Sequence, residues 1–141
     1  MTQPKTGQDL VLFTDGASRG NPGPAAAGIV IRTRAGEDLV ATGRVLGRMT
    51  NNQAEYRALL LGLELALPFA PATLLVQMDS ELVVKQMRGE YAVKSADLAP
   101  LHKQARGIVA QFARVQFAYI PRRENALADA LANRALDAGK G

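Results

Sequence analysis

Apolar residues along the chain fall into short runs separated by Gly, Pro and Asn, and the rhythm of those runs changes from two to that of a helix and back. Asp9 to Asp15 (DLVLFTD) has strand length and is ended by Gly16. A period of two places Val11, Phe13 and Asp15 on one face. The Gly, Pro and Asn content of GASRGNPGPAA predicts a loop. Gly28 to Thr33 and Leu39 to Gly47 predict two more strands, and the turn RAGED between them is short enough to require antiparallel pairing. The helical rhythm starts at Asn51 and runs to Leu67. Thr50 and Gln53 have the spacing of a capping box, and Pro68 ends the run. Thr73 to Met78 predicts a strand, Ser80 to Met87 a short helix, RGEYAVKSADL a connection and Ala99 to Phe112 a helix. Val115 to Ile120 is the last strand. Pro121 breaks it, and Glu124 to Ala138, rich in Ala and Leu, predicts a terminal helix.

The order β-β-β-α-β-α-α-β-α predicts an α/β fold with a mixed sheet and helices packed on its faces. The chain carries no internal repeat or interior linker, so one domain is expected over residues 9–138, with frayed ends at 1–8 and 139–141. Its 141 residues are 48% apolar, enough to bury a core. The absence of cysteine excludes disulfides, zinc–thiolate sites and a cysteine nucleophile. The most apolar stretch, Ala58 to Val76, is interrupted by Gly62, Glu64, Pro68 and Pro71, which argues against a membrane span. The polar start MTQPKTGQDL has no signal-like apolar run, and a cytoplasmic protein is the expectation.

Charge sharpens the picture. There are 17 basic residues against 13 acidic ones, a net +4. Four of those acids, Asp15, Glu55, Asp79 and Asp129, sit where strand ends and helices would deliver them to a common cleft. Gathered carboxylates repel one another, and burial raises their pKa values. A pair of divalent cations removes that cost and supplies chemistry on phosphate esters. With those four assigned to metal, the rest of the surface is more basic still, as a polyanionic substrate favours.

Each acid alone has an ordinary reading. Asp15 could be a turn residue before Gly16. Glu55 could serve the helix N-terminus, yet its neighbours Ala58, Leu59 and Gly62 place it on an apolar stripe where a carboxylate needs a strong partner. Asp79 ends the strand TLLVQM, where ligand groups of open α/β sheets gather, or it caps the next helix. Asp129 shares a helix stripe with Asn125, Ala132 and Leu136, or is simply solvated. The set in this order carries more than its members.

Four blocks frame these acids: F-T-D-G-A-S with G-N-P-G-P at Phe13 to Pro24, T-N-N-Q-A-E at Thr50 to Glu55, M-D-S-E-L-V-V at Met78 to Val84, and I-P-R-R-E-N-A-L-A-D-A-L-A-N at Ile120 to Asn133. Together they resemble ribonuclease H type 1, which cuts the RNA strand of an RNA–DNA hybrid, over roughly residues 9–138. The resemblance implies a five-stranded mixed sheet, its first three strands antiparallel and its last two parallel to the first. It implies two Mg²⁺ ions, with Mn²⁺ as a substitute, bridged by Asp15 and the scissile phosphate. Glu55 and Asp79 would complete one ion's shell and Asp129 would help hold the other, giving 5′-phosphate and 3′-hydroxyl products. Asn21, Thr50 and Asn51 match positions that hold DNA phosphate or touch the minor groove, and Asn52 and Gln53 lie close by. RNA would be recognised by its 2′-hydroxyls and by duplex shape.

The chain departs from the best-known bacterial members at three points. The stretch IPRRENALAD has no His where those members carry one, and Arg122 or Arg123 would stand in by contacting phosphate. The single His, His102, reads as a surface or packing residue. There is no Trp and no long basic insertion, as in a compact subgroup, so the hybrid would be gripped by other surfaces or with a fused or separate binding partner. Glu81 stands where many members have Gln near the minor groove. A monomer is expected. The competing readings are another nuclease or strand-transferase of the same fold, or the ribonuclease domain of a larger polyprotein, and a catalytically silent hybrid-binding module; the four retained acids argue against the last.

Overall fold

The computed structural model describes residues 6–139. Its elements in chain order are β1 (Asp9–Ser18), β2 (Gly23–Thr33), β3 (Asp38–Met49), α1 (Asn51–Ala66), β4 (Thr73–Met78), α2 (Glu81–Met87), α3 (Ala99–Val109), β5 (Val115–Tyr119) and α4 (Ala126–Gly139). They form one five-stranded sheet ordered β3-β2-β1-β4-β5. The β1–β2 and β2–β3 pairs are antiparallel, and β4 and β5 run parallel to β1.

The apolar residues of the two sheet faces have different partners. On one face Leu10, Leu12, Ile29, Ile31, Leu74 and Val76 pack with Tyr56, Leu59 and Leu63 of α1 and with residues of α2 and α3. The buried Tyr56 hydroxyl donates to Gln86 Oε1 at 2.6 Å, which satisfies both groups. On the other face α4 packs Ala132 and Leu136 against Ala26. Apart from Leu136 this second cluster is built from alanines, so α4 lies close to the sheet.

Several element boundaries differ from the sequence reading. The loop expected over GASRGNPGPAA shrinks to its centre, because Gly16, Ala17 and Ser18 continue the ladder against Ala27, Ala26 and Ala25. Gly and Ala are poor strand formers, but α1 presses on this segment: a Cβ at Gly16 would lie 2.2 Å from the Ala54 carbonyl carbon. Packing decides the backbone there, and propensity does not. α1 stops at Ala66, and Pro68 falls in a 3₁₀ turn over Leu67–Phe69. α3 ends at Val109, where the Gln111 and Phe112 N–H groups bond back three residues in a tighter turn. The terminal helix opens as a 3₁₀ turn over Arg122–Asn125 before α4 proper.

Of the expected frayed ends, residues 1–5 and 140–141 lie outside the described residues. Gly7 and Gln8 are hydrogen-bonded to Ala70 and Ala72, which precede β4. Among the described residues no helix is long and apolar enough to cross a membrane.

Candidate active site

Thr14 and Met78 are the last register partners of β1 and β4, so the residues that follow, Asp15 within β1 and Asp79 just past β4, lie side by side where the parallel pairing ends. This is the carboxyl end of β4, where open α/β sheets collect ligand groups. Glu55 reaches the same point from α1. The helix comes this close because Gly16 has no side chain, and the Glu55 carboxylate accepts a hydrogen bond from the Gly16 N–H. Asp15, Glu55 and Asp79 each offer one carboxylate oxygen within 4.8 Å of the others.

Such proximity has an electrostatic consequence. Asp15 is 6% exposed and Glu55 7%. Burial first, then the charges of Glu55 and Asp79, push the Asp15 carboxyl up to about 9. Burial also raises Glu55, to about 8, against the opposing hydrogen bond from Gly16. Both carboxyls are therefore harder to ionise than a free acid, a cost that a cation bound between them would remove. The donors are all hard carboxylate oxygens, which fits Mg²⁺ or Mn²⁺ and does not fit soft-metal chemistry.

Asp129 approaches from α4; it falls outside the three-acid cluster, yet it lies close enough to Asp15 that its carboxylate helps to raise the Asp15 carboxyl. Its Oδ1 accepts from Asn133 Nδ2 at 3.2 Å and is 3.5 Å from Arg122 Nη2. The four acids line one open cleft of about 420 Å³ together with Ser80, Asn51, Arg19 and Arg122. A larger cavity, about 580 Å³, lies elsewhere, between Arg88, Arg106 and the β5 residues Val115 to Ala118, and no carboxylate lines it.

The other sequence-designated residues separate into near and far. Thr50 and Gln53 form the capping box: Gln53 N–H donates to Thr50 Oγ1 at 3.2 Å and Thr50 N–H to Gln53 Oε1 at 2.9 Å. Asn21 Oδ1 accepts from the Asn51 N–H at 3.1 Å, joining the β1–β2 turn to the start of α1. Asn52 is exposed beside them. Glu81 points away to a salt bridge with Lys85 at 2.8 Å and does not line the cleft. Both arginines are exposed, but Arg122 lines the cleft and Arg123 does not. His102 packs edge-on against Tyr56, ring centroids 6.4 Å apart, with Nε2 3.3 Å from the Gln86 carbonyl. The connection from α2 to α3 contains no helix, and Arg88 within it pairs with Glu90 at 2.7 Å.

Sequence reasoning passed over Asn125. It is 1% exposed, and its Nδ2 donates to the Thr14 carbonyl at 2.9 Å and to Asp79 Oδ1 at 3.4 Å. It thereby ties the α4 entry to both acid-bearing strands. The available signal was a polar residue on the same apolar stripe as Asp129, four positions earlier.

Comparison with known proteins agrees with this arrangement. Residues 13–135 match a family model described as reverse transcriptase-like. A ribonuclease HI of Halobacterium salinarum is 42% identical over 137 residues, 97% of this chain and 69% of that protein. The crystal structure of RNase H1 from that archaeon superposes with a TM-score of 0.89 at 43% identity, covering 92% of this chain and 98% of the other. LC11-RNase H1, solved in complex with an RNA/DNA hybrid, gives a TM-score of 0.89 at 39% identity, covering 94% of this chain and 99% of that one. A bifunctional protein of Mycobacterium tuberculosis is 45% identical over 130 residues, which are 92% of this chain but 36% of that protein. The chain thus spans about a third of the length of its mycobacterial relatives. The sheet order, the clustered acids and these matches together place the chain in the ribonuclease H type 1 family.

Proposed function

We infer that the protein hydrolyses the RNA strand of RNA–DNA hybrids endonucleolytically, leaving 5′-phosphate and 3′-hydroxyl ends. The observation that carries this reading is the convergence of Asp15, Glu55 and Asp79 within 4.8 Å, with Asp129 beside Asp15 in the same cleft. Asp15, Glu55 and Asp79 would hold one Mg²⁺, and Asp15 and Asp129 would hold a second. Bound there, the ions would supply an activated water and stabilise charge on the phosphoryl oxygens.

The chain's own residues arrange the rest. Asn125 fixes Asp79 relative to β1, and the Gly16 N–H fixes Glu55, so the ligand set is oriented by hydrogen bonds to backbone. Arg122 sets a permanent positive charge beside Asp129 at the cleft wall, suited to a phosphate and unsuited to proton transfer. The capped start of α1 faces the same cleft through Asn51. With its Oδ1 engaged by the Asn51 N–H, Asn21 keeps Nδ2 for a phosphate oxygen of the DNA strand.

The test incubates the protein with RNA–DNA hybrid, double-stranded RNA and double-stranded DNA, each with Mg²⁺ and with chelator. Cleavage of the hybrid alone, lost in chelator, is the expected result. Binding of hybrid without cleavage at any metal concentration would overturn the reading.

A further inference from the structure

Asp129 is held by a chain of contacts that begins on another element. Asn133, one turn further along α4, donates from Nδ2 to Asp129 Oδ1 at 3.2 Å and to the Asp129 carbonyl at 3.0 Å. Arg19, in the turn between β1 and β2, reaches Asn133 in turn. Its Nη2 lies 3.4 Å from the Asn133 carbonyl and 3.5 Å from Asn133 Oδ1. Its Nη1 is 2.7 Å from Asp137 Oδ1, another turn along α4. The Arg19 N–H donates to the Pro24 carbonyl at 2.8 Å, which fixes the backbone from which the side chain extends.

The chemistry of the amide gives this chain a direction. A primary amide turned one way offers N–H₂ to Asp129, and turned the other way offers a carbonyl oxygen that a carboxylate repels. The guanidinium has donors only. With Arg19 on one side of the amide, Oδ1 must face Arg19 and Nδ2 must face Asp129. The Arg19–Asp137 pair is not the source of stability here, because the Asp137 side chain is 68% exposed and such pairs are weak. Its effect is to aim the guanidinium.

We propose that Arg19 is a positioning residue for Asp129, acting through the Asn133 amide. The relay fixes Asp129 Oδ1 and leaves Oδ2 to an incoming divalent cation. It also joins the turn carrying Asn21 to the helix carrying Asp129, so that the DNA-strand contact and the second metal ligand move as one body. This inference rests on the reading of Asp129 as a metal ligand in hybrid cleavage.

Arg19→Ala, Asn133→Ala and the double variant test it with two readouts. In protein labelled with ¹³C-aspartate, the Asp129 carboxyl resonance (assigned with Asp129→Asn) should move in both single variants. The double variant should move it no further than Asn133→Ala alone. In hybrid cleavage, Asn133→Ala should lower kcat on the order of tenfold and raise the Mg²⁺ concentration for half-maximal rate, with KM for hybrid little changed. Arg19→Ala should do the same to a smaller extent and add nothing in the Asn133→Ala background. An unmoved Asp129 resonance, effects that multiply in the double variant, or an Arg19→Ala defect confined to KM would each overturn the relay. The resonance needs no turnover, so a wild-type protein inert on hybrid would overturn the functional reading while the relay is still decided by NMR.

Discussion

Asp15 and Gly28 are cross-strand partners on β1 and β2, and the place of the side chain that Gly28 lacks is filled by α4. A Cβ at Gly28 would stand 1.8 Å from the Ala128 carbonyl oxygen and 3.0 Å from the Ala132 nitrogen. Gly43, the partner of Gly28 on β3, repeats the relationship, its Cβ falling 2.3 Å from the Leu131 carbonyl. Ala128 immediately precedes Asp129. Two glycines in register therefore set how near the fourth acid comes to the first.

Gly28→Ala is expected to push α4 off the sheet, since both clashing atoms are backbone and cannot rotate away. Overpacking of this kind costs about 1–3 kcal/mol. Displacing a catalytic group by about 1 Å costs on the order of 100-fold in rate. Thermal denaturation with hybrid-cleavage kinetics would show both, the loss of kcat exceeding what the fraction unfolded explains. A variant with the wild-type rate would mean that α4 does not set the position of Asp129.

Asp79→Asn separates chemistry from folding. The change removes one of three mutually repelling carboxylates and keeps a side chain that Asn125 can still contact. Without metal the melting temperature should hold or rise. Hybrid cleavage in Mg²⁺ should fall by more than about 100-fold, beyond the range found for residues that merely support a metal ligand. Circular dichroism melting and single-turnover cleavage measure the two effects. A near-normal rate would remove Asp79 from the ligand set.

The strands and the acids were legible in the sequence for different reasons. Thr73–Met78 was read to the residue because a dense apolar run is bounded by Pro71 and Asp79. The acids were legible as a set, through four ordered blocks. What could not be read depends on distance along the chain. Asn125 and Arg19 act on partners 111 and 114 residues away, and neither periodicity nor turn chemistry reports such a pairing. The extra length of β1 and β2 was hidden because Ala and Gly signal neither strand nor helix until α1 and α4 press on them.

The stability of the metal-free protein should fall as pH rises. The folded-state pKa values of Asp15 and Glu55 are raised, to about 9 and about 8, above those of the unfolded chain. Between about pH 4 and those values the native state binds more protons than the unfolded state, so stability decreases with pH across that window. A divalent cation binds the deprotonated carboxylates and reverses the trend. The rise in melting temperature on adding Mg²⁺ should accordingly be small at about pH 5 and grow toward about pH 8. Scanning calorimetry with and without Mg²⁺ checks this. A metal effect independent of pH would show that these two carboxylates are not where the ion binds.

The two arginines, one or other of which is expected to contact phosphate where the loop His is absent, should be unequal. Arg122 lines the cleft with Nη2 3.5 Å from Asp129 Oδ1, while Arg123, next along the 3₁₀ turn, lies outside it. Arg122→Ala removes the fixed cation at the cleft wall. It should lower kcat/KM for hybrid by about tenfold, in keeping with a lost charge-assisted contact of about 1.5 kcal/mol. The loss should shrink as salt rises, because the lost interaction is with a phosphate. Arg123→Ala should stay within about twofold, as surface substitutions do. Steady-state kinetics on one hybrid at two ionic strengths distinguishes the pair. If Arg123→Ala proves the more damaging, the 3₁₀ turn must rearrange when hybrid binds and exchange the two side chains at the cleft.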